Sequence, residues 1–181
     1  MTFPSRAAIL GTGCYLPDRV LSNADLERMV DTSNQWIVER TGIRERRIAS
    51  PDETTSTMAA IAARRACEDA GIAPEEVDLI LVATVTPDYV TPSAACLVQH
   101  AIGASQAGAV DLNAACSGFI YALLIGAGLV ASGMHRHVLV IGSETLSRIT
   151  DYQDRGTCIL FGDGAGAVLL GPAPEGSGLI H

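Results

Sequence analysis

Cys116 stands where an apolar run, residues 107–112, gives way to a stretch of small and apolar residues at 117–132. Read as strand and helix, these segments put the thiol at a helix N-terminus, where unpaired N–H groups and the positive end of the dipole favour thiolate over thiol. A sulfur so placed is a candidate nucleophile. The competing reading is a small buried hydrophobe, the common state of a free cysteine; the position between strand and helix favours the nucleophile. The run Asp111-Leu112-Asn113-Ala114-Ala115-Cys116-Ser117-Gly118-Phe119 lets the backbone turn sharply with little bulk before the sulfur, and Gly118 leaves room beside it. It parallels a nucleophile elbow, without the G-x-S-x-G pattern of hydrolases. Trp36, the only tryptophan, and Arg40 lie four residues apart and so share one face of a helix over 34–40. On those residues alone, a core tryptophan with solvent-facing arginines paired to Glu39 and Glu45 is the plain reading.

The elements that must hold these groups follow from periodicity and punctuation. Residues 7–11 read as a first strand, ended by the turn at 13–17. Ser22 offers an N-cap for a helix over 23–30, with Asp25 acidic in its first turn. A helix over 34–40 stops at Gly42. Residues 55–70 carry alanine and other small residues at helical spacing, with Gly71 as C-cap. The continuous β-branched and apolar run 79–85 predicts a strand buried on both faces, closed by Thr86-Pro87. Further on, 93–102 reads as a helix, 107–112 as a strand, 117–132 as a long helix capped by Gly133, and 138–141 and 165–170 as strands. Alternating strands and helices predict an α/β fold with a largely parallel sheet, functional groups gathering at the strands' carboxyl ends.

Composition sets outer limits. The chain has 181 residues, 48% of them hydrophobic, enough for one substantial core. A formal charge of −8 disfavours nucleic acid and anionic membrane surfaces as partners. Five cysteines form no C-x-x-C pair and are odd in number, which predicts a reducing cytoplasm; no metal set is assigned. Residues 1–6 lack the apolar segment of a leader peptide. The apolar stretch 119–131 is too short to span a bilayer and reads as a buried core helix.

The glycine-rich segments do not make a phosphate site. Gly11-x-Gly13 lacks the third glycine of a dinucleotide fingerprint, with Pro17 where a helix should begin. Gly162-Asp163-Gly164-Ala165-Gly166 runs into a strand and reads as tight backbone packing. Arg44, Arg46 and Arg47, the densest basic run, read as mostly structural.

Taken in order, several segments together resemble the N-terminal half of the β-ketoacyl-[acyl carrier protein] synthase III family, which are thiolase-fold condensing enzymes. They are residues 11–17 (GTGCYLP), 34–46 (NQWIVERTGIRER), 92–96 (PSAAC), the cysteine elbow, 154–157 (DRGT) and 161–167 (FGDGAGA). The resemblance implies a thiolase-like fold, residues 1–172 forming one βαβαβ half of a five-layered αβαβα sandwich and 173–181 a linker toward a second half. It implies that Cys116 takes an acyl group from acyl-CoA, after which malonyl-[acyl carrier protein] loses CO2 and its carbanion attacks the thioester. The backbone N–H of Cys116 would form one side of an oxyanion hole. Trp36, Arg40 and Arg155 would bracket the adenine and meet the phosphates of coenzyme A, with Thr32 at the same entrance. Thr91 and Phe119 would line the acyl pocket; some relatives carry a bulky aromatic at the position of Thr91, reaching across a dimer interface, and threonine leaves the pocket longer. A homodimer is implied, and no permanently bound cofactor.

The family's catalytic histidine and asparagine have no match here. His100, His135, His137 and His181 read as surface or helix-end residues. The expectation is a truncated, cleaved or split synthase whose apolar face is covered by a second half, another polypeptide or a rearranged dimer. A polyketide-starter synthase, a related acyltransferase or a non-catalytic pairing subunit are the alternatives.

Overall fold

The run Leu79–Ala83 is buried at every residue because it lies inside a five-stranded sheet with helices on both faces. The computed structural model describes residues 6–174 and 178–179; the expectations for residues 1–5, for Ile180 and His181 and for part of the 173–181 linker lie outside them. Along the chain come β1 (Ala7–Tyr15), β2 (Val20–Ser22), α1 (Asn23–Leu26), α2 (Asn34–Thr41), β3 (Glu45–Arg47), α3 (Thr55–Ala70), β4 (Leu79–Ala83), α4 (Ala94–Ile102), β5 (Gly108–Leu112), α5 (Gly118–Ala131), β6 (Val138–Thr145) and β7 (Asp163–Pro172). The sheet order is β1-β7-β6-β4-β5, and β2 pairs with β3 in a separate small ribbon.

Strand alternation sorts the core into two layers. Ile80 and Val82 of β4, with Leu139 and Ile141 of β6, meet α3 and α4 on one face. Leu79, Leu81 and Ala83, with Val138 and Val140, meet α5 on the other. The small residues of α3 let its backbone lie directly on β1: a Cβ at Gly13 would sit 2.5 Å from Ala66 N, and one at Gly11 2.5 Å from Ala70 N. These glycines serve close helix–strand packing, so β1 continues to Tyr15, into the turn expected at 13–17.

Several expectations need correction. The sheet is mixed: β4, β5 and β6 run parallel, whereas β7 is antiparallel to both β6 and β1. The helix expected over 23–30 ends at Leu26, where the chain tightens into bonds from Arg28 N to Asp25 O and from Met29 N to Leu26 O. Strand β4 ends at Ala83 rather than residue 85, because Glu144 takes the Val85 N–H and pulls the chain out of the ladder. Helix α5 is not a buried core helix. Its small face packs on the sheet, with Ala122 and Gly126 buried, while Ile120, Tyr121, Leu124 and Ile125 are 46–54% exposed. With a sheet on one side only, an almost wholly apolar helix leaves its other side open. No helix among the described residues is long and apolar enough to cross a membrane.

Candidate active site

The cysteine elbow is built by anchoring β5 and releasing the chain sharply after it. Asp111 accepts hydrogen bonds from Ala94 N and Ala95 N, both 2.8 Å, which ties β5 to the first turn of α4. Leu112 O accepts from Thr84 N, joining β5 to the end of β4. The chain then turns through Ala115, whose φ of 47° makes it the one non-glycine residue with positive φ among those described. Such a residue stores about 1–3 kcal/mol of strain. A single 3-10 turn, Ala115–Ser117, follows and runs into α5. Cys116 therefore stands one turn ahead of the helix rather than in it, and it is exposed. Ser117 N closes back on Ala114 O, whereas the N–H of Cys116 pairs with no acceptor among the described residues. Gly118 is needed for this approach: a Cβ there would lie 3.2 Å from Ala83 Cβ. Phe119, one turn beyond the sulfur, is half-buried against Gly142.

A second group assembles around Trp36. Ser33 caps α2 by accepting Trp36 N at 3.1 Å, and Gly42 ends the helix in the left-handed conformation that the αL cap requires. The Arg40 guanidinium lies 4.4 Å from the indole centroid, and that of Arg155 4.6 Å. Arg155 is presented by a tight turn in which Asp154 accepts from the Thr157 hydroxyl and from Gly156 N. Those bonds, the hydroxyl first, hold the Asp154 carboxyl below its ordinary range. Trp36 itself rests on a small apolar cluster of Leu21, Leu26, Ile37, Ile48, Cys158 and Ile159. The plain alternative of an Arg40 ion pair is not met: Glu39 accepts from Gln35, and the ion pairs among the described residues are Arg28–Asp25 and Arg47–Glu45. Two exposed cations on one half-buried indole make a surface suited to a flat, anionic ligand. Thr32 lies just before α2, its Oγ1 buried and without a hydrogen-bond partner among the described residues.

Thr91, Cys116 and Arg155 follow β4, β5 and β6 in the chain, and the parallel pairing of those strands brings their carboxyl ends to one edge of the sheet. Thr91 is exposed in the loop after β4. Two carboxylates not singled out in the sequence hold this edge. Glu144 accepts from Val85 N and from the Thr84 and Thr86 hydroxyls. Asp163 accepts from Ala49 N, Ser147 N and the Ser147 hydroxyl. Only the glycine-rich setting of Asp163 hinted at such a role. A cleft of about 290 Å³ opens nearby, lined by Thr55, Thr86, Asp88, Thr145 and Arg148 among others. Cys116 is not among its walls: the sulfur lies open at the surface rather than beneath a tunnel.

Residues 110–181, beginning just before the elbow, match the family model described as 3-oxoacyl-[acyl-carrier-protein] synthase III. A β-ketoacyl-[acyl-carrier-protein] synthase III of Desulfitobacterium hafniense is 57% identical over 172 residues, 95% of this chain and 52% of that protein. The chain belongs to the synthase III family. A synthase III of Solibacter usitatus is 58% identical over 178 residues, covering 97% of the chain and 54% of its relative. Among solved structures, the synthase III of Aquifex aeolicus superposes with a TM-score of 0.91 at 54% identity, over 93% of this chain and 55% of that one. The priming β-ketosynthase of the R1128 polyketide pathway gives 0.90 at 46% identity, over 96% and 52%. The fold is thus the thiolase-like fold of the synthase III enzymes, and the chain spans about half the length of these relatives.

Burial separates the five thiols of this synthase III chain. Cys14, Cys96 and Cys116 are exposed, Cys67 and Cys158 buried. Burial pushes the Cys67 thiol up to about 11 and raises Cys158 as well. At pH 8 Cys67 is then about one part in a thousand thiolate. Iodoacetamide at that pH is expected to label Cys116, Cys14 and Cys96 and to spare Cys67 and Cys158, as read by peptide mapping; labelling of Cys67 in the folded protein would contradict the packing of α3.

Proposed function

We propose that this chain is the acyl-accepting part of a condensing enzyme that starts fatty acid synthesis. The Cys116 sulfur, as thiolate, attacks the carbonyl carbon of an acyl-CoA thioester. The carbon–sulfur bond to coenzyme A breaks, the leaving thiolate takes up the proton given up by Cys116, and the acyl group stays on the protein. One thioester replaces another, so the step is close to isoenergetic, and the free Cys116 N–H is positioned to receive the charge that develops on the carbonyl oxygen. Malonyl-[acyl carrier protein] then loses CO2, and the carbanion displaces Cys116 to give 3-oxoacyl-[acyl carrier protein]. Trp36, Arg40 and Arg155 hold the adenine and phosphates of coenzyme A, with Thr32 beside them. The observation that carries this reading is an exposed thiol on a strained elbow together with two arginines, without an ion-pair partner among the described residues, stacked on one indole.

Condensation also needs hydrogen-bond donors beside the thiol, which the resemblance places in a histidine and an asparagine of the family's second half. The open side of α5 supports the same division: residues 1–172 form the thiolase-like half bearing the nucleophile, and a second half or second chain covers Ile120, Tyr121, Leu124 and Ile125. A homodimer and a cytoplasmic setting complete the proposal, the latter supported by five free cysteines. A polyketide-starter role is a second reading, supported by the likeness to the R1128 priming ketosynthase and by Thr91, which leaves room for primers larger than acetyl.

The test is acylation in a mixture of acetyl-CoA and longer or branched acyl-CoA primers. One acyl group per chain is expected, on the peptide containing Cys116, with masses that include primers beyond acetyl. Acylation by acetyl-CoA alone would defeat the longer pocket; an adduct elsewhere would defeat the assignment of the nucleophile.

A further inference from the structure

Arg46 is 4% exposed, and no carboxylate among the described residues pairs with it. A buried guanidinium is costly unless its N–H groups are satisfied. Arg46 satisfies them with neutral acceptors. Its Nε and Nη2 both donate to the carbonyl oxygen of Ile159, at 2.9 and 2.6 Å, and its Nη1 donates to Asn23 Oδ1 at 2.7 Å. Asn23 is 2% exposed and extends the connection: its Nδ2 donates to Asn34 Oδ1 and to Ile43 O, each at 2.9 Å.

The ends of this network are the two supports of the indole cluster. Asn34 opens α2, two residues before Trp36, and Ile43 follows the Gly42 cap. Ile159 lies four residues beyond Arg155, in the apolar cluster under Trp36. A second contact fixes the same spacing: a Cβ at Gly162 would meet Arg47 O at 3.0 Å and Arg46 Cβ at 3.1 Å, so β3 is seated directly against the chain that follows Arg155. Only a planar fork can hold one carbonyl with two N–H groups and a second acceptor with another; lysine, a single point donor, cannot.

We infer that Arg46 is a positioning residue that sets the spacing between Trp36 and Arg40 on one side and Arg155 on the other, and through it the affinity for coenzyme A. The affinity part rests on the proposed coenzyme A site. The spacing part does not.

The experiment compares Arg46→Lys and Asn34→Ala with the wild type and with Trp36→Ala, all in the full-length protein. Titration with coenzyme A is expected to show a dissociation constant raised about tenfold in Arg46→Lys and about threefold in Asn34→Ala. Without ligand, acrylamide quenching of Trp36 fluorescence, read against Trp36→Ala as blank, is expected to rise in both, because the Arg155 guanidinium no longer covers its side of the indole. Asn34 is exposed, so its variant decides the matter should Arg46→Lys fail to fold. Wild-type quenching in the folded variants would overturn the positioning role. Wild-type coenzyme A affinity in them, with affinity lost in Trp36→Ala, would overturn its link to binding. Full affinity in Trp36→Ala would instead overturn the coenzyme A site, while quenching still judges the spacing.

Discussion

Replacing Cys116 by alanine is expected to abolish acyl transfer from acyl-CoA, a fall of about four orders of magnitude or more, because the atom that carries the acyl group is gone. The fold is expected to survive. Cys116 is exposed and fills no part of the core, so the change in stability stays within about 0.5 kcal/mol. Ala114 and Ala115 already carry the same methyl side chain on the elbow, and the left-handed residue is Ala115, not the one replaced. Serine at this position recovers little, since a hydroxyl needs an adjacent base to become a nucleophile. Release of free coenzyme A and intact mass read the effect directly. Acylation at the wild-type rate in the alanine variant, on Cys14 or Cys96, would remove the elbow from the mechanism.

Alanine at Gly13 is expected to cost about 3 kcal/mol or more, although it adds one carbon atom to a strand. That carbon would lie 2.5 Å from Ala66 N and 2.8 Å from Arg65 Cβ, and closer still to the Ala62 carbonyl oxygen. Two of these neighbours are helix backbone, which has no rotamer to yield, so α3 must lift from β1 or the strand must shift. Lifting α3 loosens the layer in which Met58, Ala62, Ala63 and Ala66 are fully buried. For a chain of this length the loss corresponds to a drop in melting temperature of roughly 6–12 °C. Gly166→Ala on the same sheet is the control. Nothing lies within 4 Å of a Cβ there, and its melting temperature is expected to stay near that of the wild type. Equal melting of the two variants would show that α3 does not lie on β1 as closely as the geometry requires.

The helix over 55–70 and its Gly71 cap were legible because each depends on residues close in sequence: Thr54 accepting from Thr57 N at one end, a left-handed glycine at the other. The buried strands were legible from their apolar runs, and the elbow from small residues on either side of Cys116. The ribbon of β2 and β3 was not legible. Its strands are three residues each, and Glu45-Arg46-Arg47 has the composition of a solvated turn. Arg46 is buried only because Ile159 and Asn23, 113 and 23 residues away, bring acceptors to it. Glu144 and Asp163 were missed for the same reason: a carboxylate that accepts backbone N–H groups from other loops looks, in sequence, like any surface acid.

By itself, the amino-acid order determined the α/β class, the small-residue elbow around Cys116 and the pairing of Trp36 with Arg40, all properties of spacing along one element. Only the tertiary structure decided that β7 runs against its neighbours, that Arg155 joins the indole from more than a hundred residues away, that α5 is covered on one side and that Arg46 lies inside. Each of these depends on which distant backbone groups meet in space. Burial and hydrogen-bond satisfaction are settled by such meetings, and no local pattern encodes them.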